Sequence, residues 1–136
     1  MNTNLKLIKE WIEALRSSKY TQGQGCLRSI DDRFCCLGVL CDITNRKDWD
    51  EEEYEYYYTI LNEKDALPKS ILNLLNLEDR TPDFKISSKN SKLIEILEEN
   101  YKEEDRINYD DLTQLNDIWG LNFNQIADIL EEEFLR

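Results

Sequence analysis

The segment "RFCCLGVLCDI" places Cys35, Cys36 and Cys41 within seven residues, and thiols at that density could ligate a metal, attack a substrate, pair as disulfides or pack. Structural zinc takes four thiolate or imidazole ligands, usually as cysteine pairs two to four residues apart that converge on one tetrahedral ion. Here Cys35 and Cys36 are adjacent and point apart, Cys41 lies five residues further on, and the chain has no histidine. A cysteine nucleophile needs a neighbouring base or another feature that stabilises the thiolate, and without histidine the usual partner is missing. Reduced cysteine otherwise behaves as a small hydrophobe. The expectation is a packed, thiol-rich helix, with no metal and no cofactor.

Other catalytic signatures are also missing. The sequence has no P-loop, no dinucleotide glycine fingerprint and no Gly-x-Ser-x-Gly turn, and "GQG" at Gly23 to Gly25 is too short to count. Paired carboxylates such as Asp31-Asp32 and Asp110-Asp111 sit in polar surroundings, where acids keep a surface wet. A non-enzymatic protein is therefore expected, and what remains is binding chemistry. Arg16, Lys19, Tyr20, Gln22, Gln24 and Arg28 gather around one glycine-containing loop. Arginine forks fit phosphate or carboxylate oxygens, tyrosine stacks on flat rings, and glutamine reads amide or base edges. The same residues also fit a solvated loop whose arginines pair with acids elsewhere in the chain.

The charge is unevenly spread. The 136 residues carry a net charge of −12, with 34% charged and 40% hydrophobic residues. Residues 1–47 hold eight Lys/Arg against five Asp/Glu, leaving nine against 24 for the remainder. Two surfaces with different partners would give this asymmetry, as would an acidic solvated face. Sequence-independent nucleic-acid binding draws on broad positive surface, so neither DNA nor RNA is an expected ligand. The first segment, "MNTNLKLIKEWIEALR", mixes Lys6, Lys9, Glu10 and Glu13 into its apolar residues, unlike a signal peptide or a membrane span. A cytosolic protein without membrane partners is expected, in which thiols stay reduced.

The elements that position these residues follow from periodicity. Leu5, Ile8, Trp11, Ile12 and Leu15 fall on one side of a helix from about Asn4 to Ser17. A short hairpin is expected around Asp31-Asp32, then a helix from Cys36 to about Asn45. Tyr54, Tyr56, Tyr58 and Ile60 alternate as in a strand. Pro68 suits the first position of a helix burying Ile71, Leu72 and Leu75, with Asn76 as a left-handed stop. "DFKIS" reads as another short strand. A helix from about Ser91 to Glu104 should bury Ile94, Leu97 and Tyr101, and a short one covers about Tyr109 to Ile118. The last helix has Asn122 as its cap with Gln125 reaching back, and Phe123, Ile126, Ala127, Leu130 and Phe134 on one face. The expected fold is α+β: a mainly helical single domain, 1–136, with short antiparallel β-hairpins.

Several segments together carry a resemblance: "WIEALRSSKYTQGQGCLRS", "FCCLGVLCDI", "LTQLND" and "NFNQIADILEEEF". The chain resembles a family of small bacteriophage and prophage proteins. The pattern falls on Trp11, Ala14 to Ser17, Tyr20, Gln22, Leu27, Arg28, Cys35 to Cys41, Leu115, Asn116, Asp117, Phe123, Ile126, Ala127 and Asp128. The chain departs from the family in an acidic, longer stretch from about Lys47 to Asp110, and in Ser18, which stands where a glycine is typical. The resemblance implies a phage-encoded protein in the host cytoplasm and supplies no settled activity; small phage proteins without catalytic machinery often act against host immunity. The expected function is sequestration of a small anionic, nucleotide-like immune signal. Arg16 and Arg28 would hold phosphate, Tyr20 would stack, and Gln22, Asn116 and Asp117 would read polar edges. Asn116 and Asp117 also precede a helix break at 118–122, where turn formation accounts for them without a ligand. The alternative is an acidic inhibitor that covers a host defence protein, as a DNA mimic would. A homo-oligomer would suit a sequestering protein, because shared pockets form where subunits meet.

Overall fold

A computed structural model describes residues 3–52, 55–77, 81–100 and 111–136. The chain folds as α1 (Leu5–Arg16), β1 (Thr21–Gln22), β2 (Arg33–Phe34), α2 (Cys36–Asn45), a 3-10 turn (Arg46–Asp48), β3 (Trp49–Glu51), β4 (Tyr58–Ile60), α3 (Lys69–Leu74), α4 (Ser91–Asn100), α5 (Leu112–Asp117) and α6 (Phe123–Phe134). This is the α+β architecture expected, with helices forming the body and two small strand pairs at its edge.

The centre is α2, whose residues Cys36 to Asp42 are all buried. Helix α1 packs along α6 and against α2, and α4 also lies on α6. Ile8, Trp11, Ile12 and Leu15 form the buried stripe of α1, while Leu5 remains 43% exposed, outside the stripe the periodicity assigned it to. The Trp11 indole N–H donates to the Cys36 carbonyl at 2.9 Å, which joins α1 to the first turn of α2. Gly38 brings α2 against the preceding segment: a Cβ there would lie 1.8 Å from the Leu27 carbonyl oxygen. A glycine inside a helix is therefore required by close approach, despite its low helix propensity.

Helix ends follow local chemistry. Asn4 accepts from the Leu7 N–H at 3.1 Å while its own amide donates to the Leu74 carbonyl at 2.9 Å, tying the start of α1 to the end of α3. Asn122 and Gln125 form the expected capping box on α6. Pro68 precedes α3 as its cap rather than opening it, and Asn76 stops the chain in the left-handed region at φ 54°. Asn90 is a junction that sequence pattern does not mark. It is 4% exposed, its side-chain oxygen accepts from the Leu93 N–H at 3.0 Å, and its amide donates to the Ile129 carbonyl at 3.0 Å. One side chain thus caps α4 and fastens it to α6.

Two expectations for this half are corrected. Helix α4 buries Leu93, Ile96 and Leu97, leaving Ile94 39% exposed, because α4 presents to α6 a face rotated from the one assigned. "DFKIS" contributes a single bridge, Lys85 to Asp111, instead of a strand. Tyr54, Tyr101 and residues 101–110 lie outside the described residues.

The strands also differ from expectation. β1 and β2 pair in parallel, Thr21 with Arg33 and Gln22 with Phe34. The hairpin around Asp31-Asp32 is present in outline: Ser29 N–H donates to the Arg33 carbonyl at 2.8 Å and Cys35 N–H to the Leu27 carbonyl at 3.2 Å. β3 and β4 are antiparallel, with Trp49 opposite Ile60. Beyond β4, Leu61 and Asn62 both adopt positive φ, 50° and 71°, as a two-residue type I′ turn demands.

Candidate functional site

Ser17 ends α1 and Ser18, at φ 63°, turns the chain back through the left-handed region. Glycine would adopt this backbone conformation at lower cost than serine. The turn delivers Lys19, Tyr20 and Thr21 to one wall of a groove of about 610 Å³. Arg28, Asp31 and Asp32 of the hairpin line the other side, buried Phe34 and Asp42 lie at the floor, and Arg46, whose side chain is 73% exposed, completes the lining. Volumes of roughly 300–1,000 Å³ accommodate small molecules.

Asp42 organises this floor. It is 7% exposed, and the charge of a buried carboxylate is tolerable only where donors surround it. One oxygen accepts from the Tyr20 hydroxyl at 2.6 Å and from Arg46 at 3.0 and 3.2 Å, and the other from the Trp49 indole at 3.1 Å. Burial and then Asp42 raise the Tyr20 pKa above its ordinary value, so the phenol stays protonated and acts as a donor. Tyr20, Phe34 and Trp49 continue as an edge-to-face series, with centroids 5.0 and 6.1 Å apart.

Arg28 is held by the same aromatic group. Its guanidinium lies 4.0 Å from the Tyr58 ring centre, 5.4 Å from Phe34 and 5.5 Å from Trp49. The Tyr58 N–H donates to the Arg28 carbonyl at 2.9 Å, which sets the hairpin against β4 and brings the rings to the arginine. Three cations, Lys19, Arg28 and Arg46, thus share the groove with three carboxylates, Asp31, Asp32 and Asp42. Arg28 pairs with Asp32 and Arg46 with Asp42, while Lys19 has no ion pair among the described residues. Cationic donors and carboxylate acceptors thus stand side by side in the groove.

The six residues singled out from sequence do not form one pocket. Tyr20 and Arg28 line the groove. Arg16 instead joins α1 to α6, at 2.6 Å from Asp128 and 3.0 Å from Glu131. Those contacts outweigh partial burial and raise its pKa, and Arg16 in turn lowers that of Glu131. Asn116 is fully buried with its amide spent: its nitrogen donates to the Gly23 carbonyl and to Asp117, each at 2.8 Å, and its oxygen accepts from Gln22 at 2.8 Å and the Cys36 N–H at 3.2 Å. Gln22 also donates to the Leu121 carbonyl at 2.8 Å. Gln22, Asn116 and Asp117 therefore fasten β1 to the α5–α6 turn, away from the groove. Gln22 does border a separate hollow of about 330 Å³ with Gly23, Gln24, Arg33 and Gly120.

The thiols are packed, as the sequence suggested. Cys35, Cys36 and Cys41 are buried and unpaired, and Cys26 is half-buried. Burial pushes the Cys35 thiol up to about 12 and those of Cys36 and Cys41 well above the usual thiol range. Buried neutral thiols of this kind are poor nucleophiles. Among the described residues no group of three His, Cys, Asp or Glu side chains is placed to hold a metal ion.

Sequence reading missed Asp42, Arg46 and Trp49 as site residues. Asp42 did carry a signal, a carboxylate closing an otherwise apolar run. Arg46 and Trp49 enter through tertiary approach, which no spacing rule encodes.

A small mainly helical α+β domain with a polar groove beside its central helix is the class these observations define. The chain matches over residues 1–134, and belongs to, the family described as a domain of unknown function, DUF8296. No curated protein and no solved structure matches it. Among the described residues no helix is long and apolar enough to cross a membrane.

Proposed function

We propose that this protein is a non-enzymatic binder of a small anionic, nucleotide-like ligand, seated in the groove between Lys19–Thr21 and the Asp31-Asp32 hairpin. The observation that supports this most is the convergence there of Lys19, Tyr20 and the ring-enclosed Arg28. Lys19 and Arg28 would take phosphate, and the Tyr20–Phe34 edge would meet a base. Together with the resemblance to phage proteins, the reading is sequestration of a nucleotide immune signal, which blunts bacterial defence by lowering its free concentration. The test is a thermal-shift panel of cyclic dinucleotides and ADP-ribose derivatives. A true ligand at a hundred times its dissociation constant stabilises the fold by about 2.7 kcal/mol. No shift with any member would remove the reading.

A second reading is favoured by the edge hairpin. Asp50, Glu51, Glu52 and Glu55 are all exposed and precede Tyr56, which is 84% exposed, a composition that suits an acidic surface covering a basic protein. Association of that kind weakens steeply with salt. Pull-downs from infected cells at low and high salt would recover a specific host protein only at low salt if this surface is the functional one.

A further inference from the structure

We propose that Arg28 is an anion seat and that Asp32 is its resident occupant, displaced when the phosphate end of a ligand arrives. The proposal rests on the nucleotide reading of the groove and adds what guards its cationic seat. One oxygen of Asp32 lies across the edge of the guanidinium, 2.9 Å from Nε and 2.6 Å from a terminal nitrogen. That is the edge a phosphate uses when it accepts two parallel hydrogen bonds from arginine.

The two partners are held very differently. The Arg28 side chain is 20% exposed and fixed by three rings, and its carbonyl is bonded to β4. Asp32 is 61% exposed and stands at the hairpin tip with φ at 61°, in the left-handed region. The cation is thus built in, while the anion is peripheral and replaceable. A phosphate group offers two or more acceptor oxygens to the guanidinium edge, and a monoester adds close to a second negative charge, so it would take both hydrogen bonds that one Asp32 oxygen now shares, whereas a ligand carboxylate would only reproduce the contact already present.

Asp31 supplies an internal control. It lines the same groove and is equally exposed, at 62%, but its partners are Arg33 at 3.1 Å and Ser29. Removing its charge changes the local field without vacating Arg28.

The experiment is calorimetric titration of adenosine 5′-monophosphate into the full-length protein and into Asp32→Asn, Asp32→Gly and Asp31→Asn. Both asparagine and glycine accept the left-handed turn, so the fold is kept. Displacing an arginine pair with an exposed carboxylate corresponds to at most about a fivefold change in affinity, so both Asp32 variants are expected to bind about twofold to fivefold tighter than the native chain, and Asp31→Asn within about 1.5-fold of it. Native binding without a gain in either Asp32 variant overturns the proposal and leaves the groove reading standing. An equal gain in Asp31→Asn also overturns it, because the effect is then one of general charge. If all four proteins fail to bind this nucleotide and ADP-ribose, the groove reading and the proposal fall together.

Discussion

Single residues decide how closely the core of this protein closes. Gly38 has no room for a methyl group, since the Leu27 carbonyl occupies the space a Cβ would take. The obstacle is backbone on both sides and cannot rotate away. Gly38→Ala is expected to cost about 3 kcal/mol, toward the upper range for overpacked cores, and urea denaturation would measure it. The thiols make a second case. Cys35, Cys36 and Cys41 ionise in the unfolded chain near pH 8.5–9 but resist in the folded one. Their stabilising contribution is complete below the unfolded value and is lost as pH rises toward about 12, where Cys35 ionises in the fold. Thermal melting should therefore fall progressively above pH 9, and replacing Cys35 by alanine or serine should flatten that decline. A thiol reagent should label at most Cys26 in the native protein and all four only after unfolding.

At the scale of elements, side chains distant in sequence lock the helices together. Arg16 pairs with Asp128, Gln22 with Asn116, and Asn116 with the Cys36 backbone, while Leu27 touches Gly38. These contacts interlock α1, β1, α2, α5 and α6. Asn116→Ala should leave the Gly23 carbonyl and the Cys36 N–H without their partner and cost about 3 kcal/mol, while nucleotide affinity at the groove stays unchanged. A loss of affinity at constant stability would instead place Asn116 in the ligand site. This division explains what was legible in the sequence. The boundaries of α2 and the cap of α6 were readable because apolar period and Asn-x-x-Gln chemistry act within one turn. The rotated face of α4, the parallel β1–β2 pair and the separation of Gln22 from Tyr20 were not. Each depends on approach between segments distant in sequence.

At the scale of the whole molecule, the net charge of −12 coexists with a groove where three cations balance three carboxylates. The surrounding acidic field repels polyanions, and within the groove one short-range anion seat can still operate, because screening confines fields to about 8–10 Å at physiological salt. Affinity for a nucleotide should therefore rise with added salt at low ionic strength, as long-range repulsion is screened, before direct competition with Arg28 and Lys19 lowers it. The most direct measurement is a ¹H–¹⁵N correlation spectrum recorded while ADP-ribose is added. Shifts concentrated at Lys19 to Thr21, Arg28, Asp32, Phe34 and the Trp49 indole are the predicted result. An unchanged spectrum, or shifts centred on Asn116 and the α5–α6 turn, would contradict it.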